Sequence, residues 1–151
     1  MTITPKEKEL AAVAISVAAG CKPCTDHHVK VARKARASDE EIRQAADNAL
    51  AIRRTAADIM EGHASAHLGK KAEQPRFEAA GDVSRVEALA SLGVAFAVNC
   101  VSSLEHYLAA AEIAGVPQDD ISQIVELAAF IKQKAASHVE RAAGTSKQKA
   151  A

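Results

Sequence analysis

The chain of 151 residues contains no tryptophan, one tyrosine and three phenylalanines. A sheet core draws on aromatic and β-branched side chains, so this scarcity speaks against a β protein. There is no excess of charge of either sign, with 19 Lys+Arg against 19 Asp+Glu. Outside a short tail with Lys147 and Lys149 no basic block occurs. A nucleic-acid footprint needs clustered Lys/Arg, and none is expected as a partner. No apolar run approaches the ~18–20 residues of a membrane span, so no membrane is expected either. The start, Met1-Thr-Ile-Thr-Pro-Lys-Glu-Lys-Glu9, lacks a charged region followed by an apolar stretch and a cleavage site. It does not read as a signal peptide, and a cytoplasmic location is the expectation.

What the chain has in quantity is alanine, 35 residues of it. Alanine is the best helix former and loses no side-chain entropy. The fold class expected is all-α, with a core of closely packed Ala, Val, Ile and Leu faces. So lean a core often gains stability from subunit contacts, which points to a homo-oligomer. Thr4-Pro5-Lys6-Glu7 opens a first helix with a capping box and a proline at its first position. A second helix is expected from near Pro23 to about Arg36. A third starts at a second capping box, Ser38-Asp39-Glu40-Glu41, and runs to about Leu68. Residues 69–81, with Gly69, Pro75 and Gly81, read as a linker. Helices then follow at about 82–99, 101–114 and 118–142, before a frayed tail at 143–151.

Shifting the chain by 79 residues aligns 10–58 with 89–137 without a gap, and thirteen positions are identical. Seven of the thirteen are alanine; the others include Cys21/Cys100, His27/His106 and Ile52/Ile131. Glu41/Asp120 and Arg53/Lys132 are conservative pairs. Cys and His are rare here, so their agreement in register indicates two tandem three-helix repeats, over 1–68 and 82–142. The first repeat reads Cys21-Lys-Pro-Cys24-Thr-Asp-His27-His28; the second reads Cys100-Val-Ser-Ser103-Leu-Glu-His106-Tyr107. One repeat has both thiols and both histidines, the other one of each.

Cys21-x-x-Cys24 falls where the first helix turns into the second. Helix N-termini offer unpaired N–H groups and a positive partial charge, and both favour a thiolate. His28 lies one turn after Cys24, on the same helical face, where it can hold a thiolate or relay a proton. His27, at three residues, also approaches Cys24. Glu9, on the preceding helix, comes near His28 if the two helices pack antiparallel, and a carboxylate there orients the imidazole.

Glu9, Cys21, Cys24 and His28 at this spacing, in an all-helical setting, resemble the signature of AhpD-like proteins of the carboxymuconolactone decarboxylase superfamily. The likeness covers residues 5–60, with a weakened copy over 84–138. It implies an AhpD-like helical bundle assembled as a trimer or hexamer, and thiol peroxidase or disulfide reductase activity. By position it implies Cys24 as the peroxide-attacking thiolate and Cys21 as the resolving thiol. His28 and Glu9 become the proton relay, with an unidentified thiol reductant as partner. No cofactor or metal is expected.

Other readings of the same residues compete. Lactone decarboxylation with Glu9 and His28 as acid and base is one, and a non-enzymatic oligomeric module is another. Cys21, Cys24, His27 and His28 have zinc-ligand types, but adjacent histidines on a helix point apart. Cys100 and His106 read as relics or core residues. A disulfide between Cys100 and a motif cysteine stays open. His63, His67 and His138 read as solvated surface.

Overall fold

The computed structural model describes residues 3–71, 77 and 83–144. Six helices follow in order: α1 Pro5–Ala18, α2 Lys22–Lys34, α3 Asp39–His67, α4 Arg85–Ala97, α5 Val101–Ile113 and α6 Gln118–Ala143. Among the described residues there is no strand, and no helix is long and apolar enough to cross a membrane. The fold class is therefore all-α, as the alanine content predicts. Most of the 69–81 linker and of the 143–151 tail lies outside the described residues.

Both expected capping boxes are formed, at Thr4 with Glu7 and at Ser38 with Glu41. Each satisfies two backbone N–H groups that a helix start leaves unpaired. The first helix of each half, α1 and α4, lies at the centre. α1 buries Leu10 through Ser16, and α4 buries Ala88 through Ala95. The long helices α3 and α6 each pack on both central helices, while α2 lies against α1 and α5 against α4. Small side chains let α1 and α4 approach closely. A Cβ placed on Gly93 would come within 2.6 Å of Ile15 Cδ1.

Positions 79 residues apart share several backbone features. Cys21 and Cys100 are both helix N-caps, with φ/ψ of −96/99° and −101/99°. Their amides donate to the equivalent carbonyls of Ser16 and Ala95, at 3.1 and 3.2 Å. Left-handed residues fall in register too: Gly20 with Asn99, and Arg36 with Gly115. Asn tolerates this conformation better than most side chains. The turn before α2 is thus built twice, on two different sequences. Lys6 pairs with Glu41 in the first half, and Arg85 pairs with Asp120 at the same places in the second. Arg85 also binds Glu7 at 3.1 Å, which ties the starts of the two halves together.

Candidate functional site

The α1–α2 turn fixes the sulfur chemistry. Cys21 is 4% exposed, and its Sγ accepts the backbone N–H of Cys24 at 3.2 Å. The sulfur thus takes the place of the oxygen that usually caps a helix. Pro23 sits in the first turn of α2, where its missing N–H costs nothing. Cys21 and Cys24 are joined by a disulfide with their Cα atoms 5.2 Å apart. Cys100 is a free, buried thiol, so it pairs with neither of them. Cys24 is the more exposed of the bonded pair. It packs against an apolar cluster of Ala12, Ile15, Ala97, Ala128 and Ile131 drawn from α1, α4 and α6.

Glu9 and His28 meet as their spacing suggests. Nδ1 of His28 is 2.9 Å from Oε2 of Glu9, with side-chain exposures of 13% and 14%. An ionised carboxylate only accepts, so Nδ1 carries the proton and Nε2 is left with a lone pair. An imidazole oriented this way can take a proton on Nε2. His27 is exposed, and its ring meets that of His28 edge-on at 4.9 Å.

The second half copies the turn without the chemistry. Ser103 replaces Cys24; it is fully buried, and its Oγ finds no partner among the described residues. Tyr107 replaces His28, and Ala88 replaces Glu9. His106 stacks on Phe77 with ring centres 4.6 Å apart, so a linker residue covers it. His63 and His67 lie edge to face on an exposed part of α3, as a solvated surface pair.

His138 departs from its surface reading. The end of α6 crosses from the second half to α2, and there a ring nitrogen of His138 and the two sulfurs of Cys21 and Cys24 lie within 4.8 Å of one another. It is half-buried. The sequence carried one signal for it. The register of 79 residues, run one step beyond its last aligned pair, sets His138 opposite Ile59, an imidazole where the copy has an apolar side chain.

Shape points elsewhere. A groove of about 710 Å³ between α1, α3 and α4 is lined by Lys6, Glu41, Gln44, Asp47, Asn48 and Glu87. None of the sulfur-site residues lines it. Lys6 and Glu41 there are paired with each other, and the groove has neither a cysteine nor a histidine in its lining.

Residues 2–60 match the family model described as carboxymuconolactone decarboxylase family. The matched segment contains Glu9, Cys21, Cys24 and His28 and stops well short of His138. No curated protein gives a significant match, and no solved structure does.

Proposed function

With residues 2–60 matching the carboxymuconolactone decarboxylase family model, we propose that this chain is an AhpD-like thiol oxidoreductase that reduces peroxides or disulfides. The observation that carries the reading is the Cys21–Cys24 disulfide at the start of α2, with the Glu9–His28 pair bridging α1 and that same helix. In the reduced protein the Cys24 thiol gives its proton to Nε2 of His28, and the thiolate attacks the outer oxygen of a hydroperoxide. The O–O bond breaks, and the alkoxide leaves as an alcohol after taking a proton from the protonated His28. Cys24 is then a sulfenic acid. The Cys21 thiol attacks its sulfur, the S–O bond breaks, and water leaves with the Cys21 proton. The sum is dithiol plus hydroperoxide giving disulfide, alcohol and water. A thiol reductant restores the dithiol by exchange.

Exposure supports this division of labour. Cys24 is the less buried residue of the two, while Cys21 is buried and its sulfur accepts an amide N–H. Exposed Met60, Val101, Phe130 and Val139 support self-association of the chain. The competing lyase reading uses Glu9 and His28 alone, so it requires activity that survives loss of both thiols.

The experiment is peroxide consumption and intact mass on the reduced protein. Wild type should lose two hydrogens between Cys21 and Cys24 and regain them with dithiol. Cys24→Ser should abolish turnover with helical content unchanged. Full peroxidase activity in that variant would overturn the assignment.

A further inference from the structure

The redox turn has neighbours from both halves, and one of them is unexplained by the family match. We propose that His138 is the hydrogen-bond donor to the sulfur that bears the negative charge when the Cys21–Cys24 bond is open. The inference rests on the dithiol reading above and adds a residue from the far half of the chain to that site.

Three observations carry it. The first is place: a ring nitrogen of His138 shares a sphere of 4.8 Å with both sulfurs. Once the bond is reduced, the sulfurs part to a nonbonded distance on the order of 3.5–4 Å, and a sulfur that swings toward α6 closes on the ring.

The second is tautomer. Nη2 of Arg141 lies 3.3 Å from Nδ1 of His138. A guanidinium can only donate, so Nδ1 accepts and the ring proton sits on Nε2. The ring then has an N–H to give at Nε2. The same contact argues against a metal ion held by Cys21, Cys24 and His138, although the residue types suit zinc. Arg141 occupies the Nδ1 lone pair, Nε2 carries the proton, and the fixed positive charge repels a cation.

The third is the comparison with the copy. Ile59, the counterpart of His138, lines a hollow at the end of α3 together with Ser102, the residue beside Ser103. Each long helix thus brings its end to the start of the other half's second helix. In the proposed site the side chains at issue are Glu9, Cys24, His28 and His138. At the matching places in the second half stand Ala88, Ser103, Tyr107 and Ile59. His138 varies with the other three, as a member of the site would. The site itself has one half of the chain's sulfurs and the other half's imidazole, so it exists only when both halves are packed together.

The test reads the thiolate directly and needs no turnover. Reduced wild type, His138→Leu and His138→Gln are titrated by ultraviolet thiolate absorbance, with circular dichroism as the folding control. By position, the charged and titratable neighbours are Glu9 on α1, Lys22, Asp26 and His28 on α2, and Arg141 on α6, and all stay in place in both variants. A hydrogen bond to a charged group is lost in His138→Leu, so the midpoint of the lower-titrating thiol should rise by roughly one pH unit or more. His138→Gln keeps an N–H donor and should recover part of that shift. An unchanged midpoint in a folded His138→Leu protein overturns the proposal. So does stoichiometric zinc binding by reduced wild type that His138→Leu abolishes, because the ring would then present a lone pair. If the midpoint moves while no peroxide is consumed, His138 stands and the peroxidase reading falls.

Discussion

Lys6–Glu41 in the first half and Arg85–Asp120 in the second hold the same two places on equivalent helices. The first pair has side chains more than a third exposed, while Asp120 is 1% exposed. One topological position therefore carries two different energies. An exposed ion pair is screened and contributes about 0–1 kcal/mol. A buried carboxylate is tolerated because its partner is there, and removing Arg85 strands Asp120, whereas Arg85 also has Glu7. The Arg85 guanidinium is held above its ordinary value chiefly by its hydrogen bond to Asp120. The halves share a backbone, and the burden each position carries is set by what covers it. In the first half Cys21 is buried and Cys24 partly so, and His27 beside them is exposed. In the second the same turn is filled in: Ser103 is buried and Phe77 lies over His106.

The largest expected effect breaks this comparison at its buried end. Arg85→Ala should destabilise the protein by about 3 kcal/mol or more in denaturant unfolding, because it leaves the buried Asp120 unpaired. The equivalent Lys6→Ala should cost clearly less, because the Lys6–Glu41 pair is open to solvent. Equal losses at the two positions would mean that burial does not separate the halves.

A smaller effect sharpens the comparison at the turn. Ser103 has a fully buried hydroxyl without a partner among the described residues, which costs stability. Cysteine packs there as a small apolar group. Ser103→Cys should stabilise the reduced protein by roughly 1 kcal/mol. Because the Cys21 and Cys100 caps match to within a few degrees, the introduced thiol should also form a disulfide with Cys100 on oxidation, visible by intact mass. Peroxide turnover should not increase, since Ala88 and Tyr107 supply no relay. A doubled rate would show that the thiol pair suffices without Glu9, His28 and His138.

Much of this was legible in the sequence because it is local. Thr4 with Glu7 and Ser38 with Glu41 announce helix starts within four residues, and both boxes form. The spacing of Glu9, Cys21, Cys24 and His28 uses two adjacent helices and one short turn, so chain connectivity brings the residues together. The repeat told which positions correspond. Burial did not follow from it: Asp120 reads as a conservative copy of Glu41, and its environment depends on how α4, α6 and the rest of the bundle close around it. His138 was out of reach for the same reason. It is 114 residues beyond Cys24, on a stretch of α6 that overhangs its own half. Helical periodicity assigns such an overhang to solvent, and only packing of one half against the other puts it beside the sulfurs.

The smallest expected effect returns to the exposed pair and concerns pH. The Glu41 carboxyl is held below its ordinary value, first by the Lys6 side chain and then by the Ser38 backbone N–H. A carboxyl with a lower value in the folded than in the unfolded chain binds fewer protons when folded. Its stabilisation is complete above the ordinary carboxylate range and fades as pH falls through the lowered folded value. In Glu41→Gln that fading is absent. The variant should be slightly less stable than wild type at neutral pH, and the two stability curves should converge in acid. Added salt should narrow the neutral-pH gap, because the Lys6–Glu41 pair is open to solvent. Thermal unfolding across the acid range, at low and high ionic strength, reads this directly. Curves that diverge in acid would mean that Glu41 is stabilised when protonated, against the geometry of its capping box.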